Sequence, residues 1–90
     1  MSESLEIRRK RLRFRSWHRG TKEMDLLLGN FADRHLEAMS ADQLDRYEAL
    51  LELPDPQIYL WLLGRTEPPP DVDHDVMKLL RNFKFKPEQS

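Results

Sequence analysis

Few residues in this chain could do chemistry, and most of them are quickly accounted for by structure. Asp71, Asp73 and Asp75 have the D-x-D-x-D spacing that opens a calcium loop, but that loop needs glycine at its sixth position and glutamate at its twelfth. Those positions hold Val76 and Asn82, so the aspartates read as helix-start residues. His18, His35 and His74 fall on three separate elements, without the i, i+4 spacing of a helical metal pair, and no cysteine completes a site. No metal ligand is assigned. Gly20, Gly29 and Gly64 are too scattered to cradle a phosphate, and neither a dinucleotide fingerprint nor a P-loop is present. Ser2, Ser4, Ser16, Ser40 and Ser90 form no recognisable triad. No catalytic residue is assigned, and the chain is not expected to be an enzyme.

The densest chemistry lies in Ser16-Trp17-His18-Arg19-Gly20-Thr21-Lys22-Glu23-Met24-Asp25, where a basic segment meets an amphipathic helix. A glycine between two helical segments permits a positive φ or the close approach of another backbone. Arg19 offers a planar fork of five donors, and Glu23 in the first turn of the next helix is favoured by its dipole. Such a cluster can hold a protein surface. By local physics alone it also reads as a helix break carrying an Arg19–Glu23 surface pair, which is worth little.

The elements that position this cluster follow from periodicity. Leu5 to Trp17 lacks one clean stripe, and Leu12 to Trp17 even alternates like a strand. No other segment offers a strand partner, so helix is expected there by elimination. From Thr21 to about Met39 the stripe Met24, Leu27, Leu28, Phe31 and His35 predicts an amphipathic helix. Gly29 inside it should cost about 0.8–1 kcal/mol relative to alanine unless close packing requires it. Ser40 to Gln43 reads as a capping box for a third helix with Leu44, Tyr47 and Leu51 on its stripe. Asp55 is expected to cap a fourth, with Pro56 in its first turn and Gly64 as its stop. Ile58 to Leu63 is apolar all round, which predicts a central, covered helix. After an extended Arg65 to Pro70 connector, a fifth helix is expected from Asp71 or Asp73 to Phe85. The fold class is all-α, a compact bundle of about five short helices.

Ninety residues make one domain at most. Net charge is −1, but residues 1–22 hold eight Lys/Arg against two Glu, while residues 23–90 hold seven against fourteen Asp/Glu. This predicts a basic N-terminal arm over 1–19, a helical body over 20–86 and a frayed tail over 87–90. Arg8-Arg9-Lys10-Arg11, with Arg13 and Arg15 among Leu12, Phe14 and Trp17, fits a small nucleic-acid-binding or regulatory protein, which is the alternative reading. Against it, the fourth helix is too apolar to read bases and the acidic body would repel phosphates. Nucleic acid is therefore not the expected partner. The longest apolar run is six residues, far below the roughly 20 that span a bilayer, so no membrane insertion is expected.

Arg19-Gly20-x-x-Glu23, followed by Asp25, resembles the R-G-x-x-E signature of the FAD assembly factors, the succinate dehydrogenase assembly factor family. The resemblance runs on through Leu27, Leu28 and Phe31, Leu44 to Leu51 with Tyr47, Asp55-Pro56-x-Ile58-Tyr59-x-Trp61 and Val76-Met77-x-Leu79-Leu80-Arg81, roughly residues 7–85. It implies a helper, monomeric when free, that binds the flavoprotein subunit of succinate dehydrogenase, and also that of fumarate reductase, and promotes covalent attachment of FAD. The flavin belongs to that client, and no cofactor is expected to be held stably by the chain itself. Arg19, Gly20 and Glu23 carry over as the contact patch, with Ser16, His18 and Asp25 beside them. The expected location is the bacterial cytoplasm.

Overall fold

Helix caps written into the sequence divide the chain. In the computed structural model, which describes residues 3–83, the Ser4 hydroxyl accepts from the Ile7 N–H (3.1 Å) and opens α1 (Leu5–Trp17). Thr21 does the same for α2 (Lys22–His35), accepting from Met24 at 3.3 Å. A 3₁₀ turn, Leu36–Ala38, leads to α3 (Ala41–Leu51), which begins with the expected capping box. There the Gln43 N–H donates to Ser40 Oγ (3.2 Å), and the Ser40 N–H donates to Gln43 Oε1 (3.0 Å). Next come α4 (Asp55–Leu63), stopped by Gly64 at φ +76°, and α5 (Asp75–Asn82). Among the described residues there is no strand. The all-α expectation stands.

The bundle is held by packing of α1 against α2 and α3, of α3 against α5, and of α5 against α4. Met24, Leu28 and Phe31 of the predicted α2 stripe are buried, as are Leu44, Tyr47 and Leu51 of α3. Each such side chain contributes roughly 1.5–3 kcal/mol by leaving water. The seam between α1 and α2 has a specific cause. A Cβ at Gly29 would overlap the Trp17 indole, so α2 is narrowed at that turn to admit the ring.

Several boundaries differ from the sequence reading, each for a tertiary reason. α1 shows no single stripe because its apolar residues serve three directions: Leu12 enters the core, Trp17 meets Gly29, and Ile7 and Phe14 face solvent. The α-helical part of α2 ends at His35, short of Met39. Arg9 of α1 takes the Leu36 and Met39 carbonyls (2.8 and 2.9 Å) and so fixes the tighter 3₁₀ turn. α4 is not covered on all sides. Ile58 and Trp61 are buried, but Leu60 is 37% and Leu63 51% exposed, because the helix lies at the edge of the bundle. α5 starts at Asp75, later than Asp71 or Asp73, because the Pro69 carbonyl accepts from both Val72 and Asp73 (2.9 Å each) and holds them in a turn. Its cap is His74, whose Nδ1 accepts from the Met77 N–H at 3.2 Å. Phe85 and the tail over 87–90 lie outside the described residues.

Candidate partner-binding site

α1 ends and α2 begins within four residues, and the chain must reverse between them. His18 closes α1, its N–H reaching the Arg15 carbonyl and its Nδ1 lying 2.7 Å from the Phe14 carbonyl oxygen, with the imidazole stacked on the Phe14 ring at 4.0 Å. Gly20 then takes φ +115°, a conformation that L side chains rarely adopt. Among the described residues no atom beyond its chain neighbours lies within 4 Å of where its Cβ would stand, so the turn faces open space.

Arg19 locks this turn from inside. Its backbone N–H donates to Asp25 Oδ1 (2.6 Å), tying the turn to the first turn of α2. Its guanidinium donates to Asp55 Oδ1 through Nε (3.0 Å) and Nη2 (2.6 Å), and Nη2 also donates to the Leu51 carbonyl (3.0 Å). The ends of α1 and α3 and the starts of α2 and α4 are thereby joined at one residue. The Arg19 and Asp55 side chains are 11% and 18% exposed, so the pair is shielded from water, and removing either partner would strand a desolvated charge. Asp55 is consequently not the N-cap of α4. Pro54 occupies that position and makes no side-chain capping bond.

The six candidate residues thus separate. Gly20, Glu23 and His18 are exposed, and no hydrogen bond or ion pair to the Glu23 side chain occurs among the described residues. The Arg19–Glu23 surface pair expected from spacing is replaced by Arg19–Asp55. Arg19 and Asp25 are half-buried struts that shape the turn. Ser16 is fully buried and is not a surface contact. Its hydroxyl donates to the Leu12 carbonyl (2.8 Å), which leaves the Tyr47 O–H to donate to Ser16 Oγ at 2.6 Å. Burial raises the Tyr47 pKa well above its ordinary value, with the Ser16 bond opposing.

Beside the turn lies a hollow of about 340 Å³, lined by Thr21, Glu23, Met24, Asp55, Pro56 and Tyr59. Of these, only Glu23 is a site candidate by sequence. The Asp55-Pro56-x-Ile58-Tyr59 segment carried a usable signal, since it belongs to the resembling pattern, but nothing local says that α4 starts beside α2.

The basic run folds inward and is not a free arm. Arg8 reaches Asp45 (2.6 Å) and Glu48 (2.9 Å), Arg11 reaches Glu3 (2.7 Å) and Glu48 (2.9 Å), and Arg15 reaches Glu52 (2.7 Å). Arginine hydrogen bonds, that of Arg11 first, hold the Glu48 carboxyl below its usual range. These side chains bind α1 to α3, so they form no uncompensated basic stripe for phosphates. At the other end of the chain Asp75 turns to Gln43 and Arg46 of α3 (3.0 and 3.2 Å). No group of three or more His, Cys, Asp or Glu side chains that could hold a metal is gathered among the described residues. No helix among them is long and apolar enough to cross a membrane.

The molecule is thus a small helical bundle whose two longest helices meet in an open, internally braced glycine turn. The chain belongs to the family described as flavinator of succinate dehydrogenase, whose model matches residues 10–84. It is 46% identical over 63 residues to the FAD assembly factor SdhE of Acetobacter pasteurianus, covering 70% of this chain and 58% of that protein. It is 40% identical over 78 residues to the mitochondrial succinate dehydrogenase assembly factor 2 of Dictyostelium discoideum, covering 87% and 55%. The factor of the same name from Candida glabrata is 38% identical over 93 residues, covering 99% and 61%. The chain therefore spans between about half and two thirds of the length of these curated relatives.

Proposed function

We infer that this chain is an assembly factor that binds the flavoprotein subunit of succinate dehydrogenase and promotes its covalent flavinylation with FAD. It acts by holding the client's reacting groups in place, which is catalysis by positioning on another protein's chemistry. The chain itself is not an enzyme in this reading, and the flavin belongs to the client. Its own glycines support that division: Gly29 is filled by Trp17, Gly64 caps α4, and Gly20 stands alone in its turn, so no phosphate cradle is built. The fumarate reductase flavoprotein is a second client, and the chain works as a monomer in the bacterial cytoplasm.

The observation that carries this reading is the Arg19–Asp55 lock, which presents Gly20 and Glu23 outward on the motif the family resemblance singles out. The test mixes the chain with apo-flavoprotein and FAD and reads in-gel flavin fluorescence of the denatured client. The wild-type chain raises the covalent flavin yield, and Glu23→Ala lowers it at limiting concentration without lowering the melting temperature. No rise with wild type, over the flavoprotein and FAD alone, removes the assignment.

A further inference from the structure

The hollow beside the turn has two chemistries. Met24, Pro56 and Tyr59 give it an apolar wall, while Glu23 and Asp55 bring carboxylates to it. Those carboxylates are not equivalent. Asp55 is neutralised by Arg19 at 2.6 Å, whereas Glu23 is exposed and has no cationic partner among the described residues. The hollow is therefore apolar with one uncompensated negative charge beside it. At about 340 Å³ it sits at the low end for a small-molecule site, which suits one inserted side chain better than an enclosed free ligand. Gly20, with no side chain and open space around it, lets a second backbone run alongside.

We propose that this hollow receives an apolar side chain of the flavoprotein whose neighbour in that segment is a lysine or arginine. The apolar group displaces water from Met24, Pro56 and Tyr59, and the cation pairs with Glu23. This is the arrangement of a binding hot spot: a buried apolar anchor inside a charged rim. The proposal rests on the flavoprotein being the partner.

The chain contains no cysteine, so a single introduced thiol can be labelled cleanly. Pro56→Cys carries a bimane fluorophore at the hollow. Ala38→Cys carries it on the exposed 3₁₀ turn beyond the far end of α2, roughly 20 Å away along the 14-residue helix. Both are mixed with the apo-flavoprotein subunit. Emission at position 56 should shift to the blue and become at least threefold less quenchable by iodide, while position 38 stays unchanged. Loss of the complex on labelling position 56 but not 38 also supports the proposal, because the hollow is then blocked. If Pro56→Cys does not melt like wild type, Tyr59→Cys, on the same wall of the hollow, takes its place. Glu23→Lys should weaken binding at least tenfold and flatten its salt dependence, with Glu23→Gln in between. A complex that forms with position 56 still fully quenched, or with Glu23→Lys binding as wild type, overturns the proposal and leaves the partner assignment standing. Absence of any complex with the unlabelled wild-type chain removes the partner assignment and the proposal together.

Discussion

Gly29 and Gly20 lie nine residues apart and are required for opposite reasons. At Gly29 the backbone is helical and the space is full: the Trp17 indole occupies the place of a side chain. At Gly20 the backbone is left-handed and the space is empty. The first glycine serves a contact inside the molecule. The second shapes a surface that nothing among the described residues covers. Substitutions at Gly29 should therefore be read almost wholly in stability, and those at Gly20 in both stability and binding.

The largest effect belongs to the packed seam. Gly29→Val forces a branched side chain into the Trp17 ring and should cost about 3 kcal/mol, at the upper end of overpacking costs. The mechanism is exposed by a double-mutant cycle in urea melts. With Trp17→Ala already in place, the same valine should cost less than about 1 kcal/mol, since contacting residues couple strongly. Additive losses would show that the ring and the glycine do not share that space.

The brace of the turn comes next. Arg19→Ala leaves the shielded Asp55 carboxylate and the Leu51 carbonyl without their donor, which should cost about 2 kcal/mol. That figure sits below the loss for a fully buried pair because Asp55 keeps partial contact with water. Lysine at position 19 should recover only part of the loss, as it cannot supply the forked geometry. Flavinylation should fall in step with stability. An Arg19→Ala chain that melts like wild type but no longer binds the flavoprotein would turn Arg19 from a strut into a contact residue.

At Gly20 any L residue meets the strained φ, so alanine and arginine should both lose about 1–2 kcal/mol of stability. They should part in binding. Alanine leaves most of the open approach, while arginine projects a long charged chain into it. Covalent flavin yield at saturating chain concentration should therefore stay near wild type for Gly20→Ala and collapse for Gly20→Arg. Equal yields from the two variants would mean that Gly20 matters only through its backbone.

How far this was legible in the sequence divides along the same line. Three local signals stand as read, the Ser40–Gln43 box, the α2 stripe and the Gly64 stop, whereas the Asp55 cap does not, because Asp55 is taken by Arg19. The motif was legible as a motif, but the partner of Arg19 was not. Spacing suggested Glu23 four residues on, whereas the fold supplied Asp55 from 36 residues away. The same limit applies to the arginines of α1, which looked like an arm because their acids, Asp45, Glu48 and Glu52, sit on α3 or at its C-terminal cap. It also hid the hollow, whose walls come from α2 and α4. Ser16 shows the reverse error. A small polar residue beside the motif looked like surface, and only the Tyr47 hydroxyl across the core explains its burial.

The smallest effect is that of acid on the body of the bundle, away from the turn. Burial lowers the pKa of His74, where Asp75, Asp73 and Asp71 pull upward and Arg46 pushes further down. Burial, with Arg34, also lowers that of His35, which stacks on Phe31 at 4.7 Å and meets Phe83 edge-on. Each imidazole is thus harder to protonate folded than unfolded, where its pKa is about 6.5. Their contribution to stability is complete above that value and declines as pH falls through it toward the folded pKa, because the unfolded chain then binds more protons. At His74 the proton would also occupy the nitrogen that accepts from the Met77 N–H and so remove the cap of α5. Melting temperature should therefore drop gently between pH 7 and pH 5.5, before the salt-bridged carboxylates begin to titrate. His74→Asn keeps a good capping acceptor without an ionisable ring, so its melting temperature should fall less over that interval. Parallel curves for wild type and His74→Asn would assign the whole decline to His35 and its aromatic neighbours.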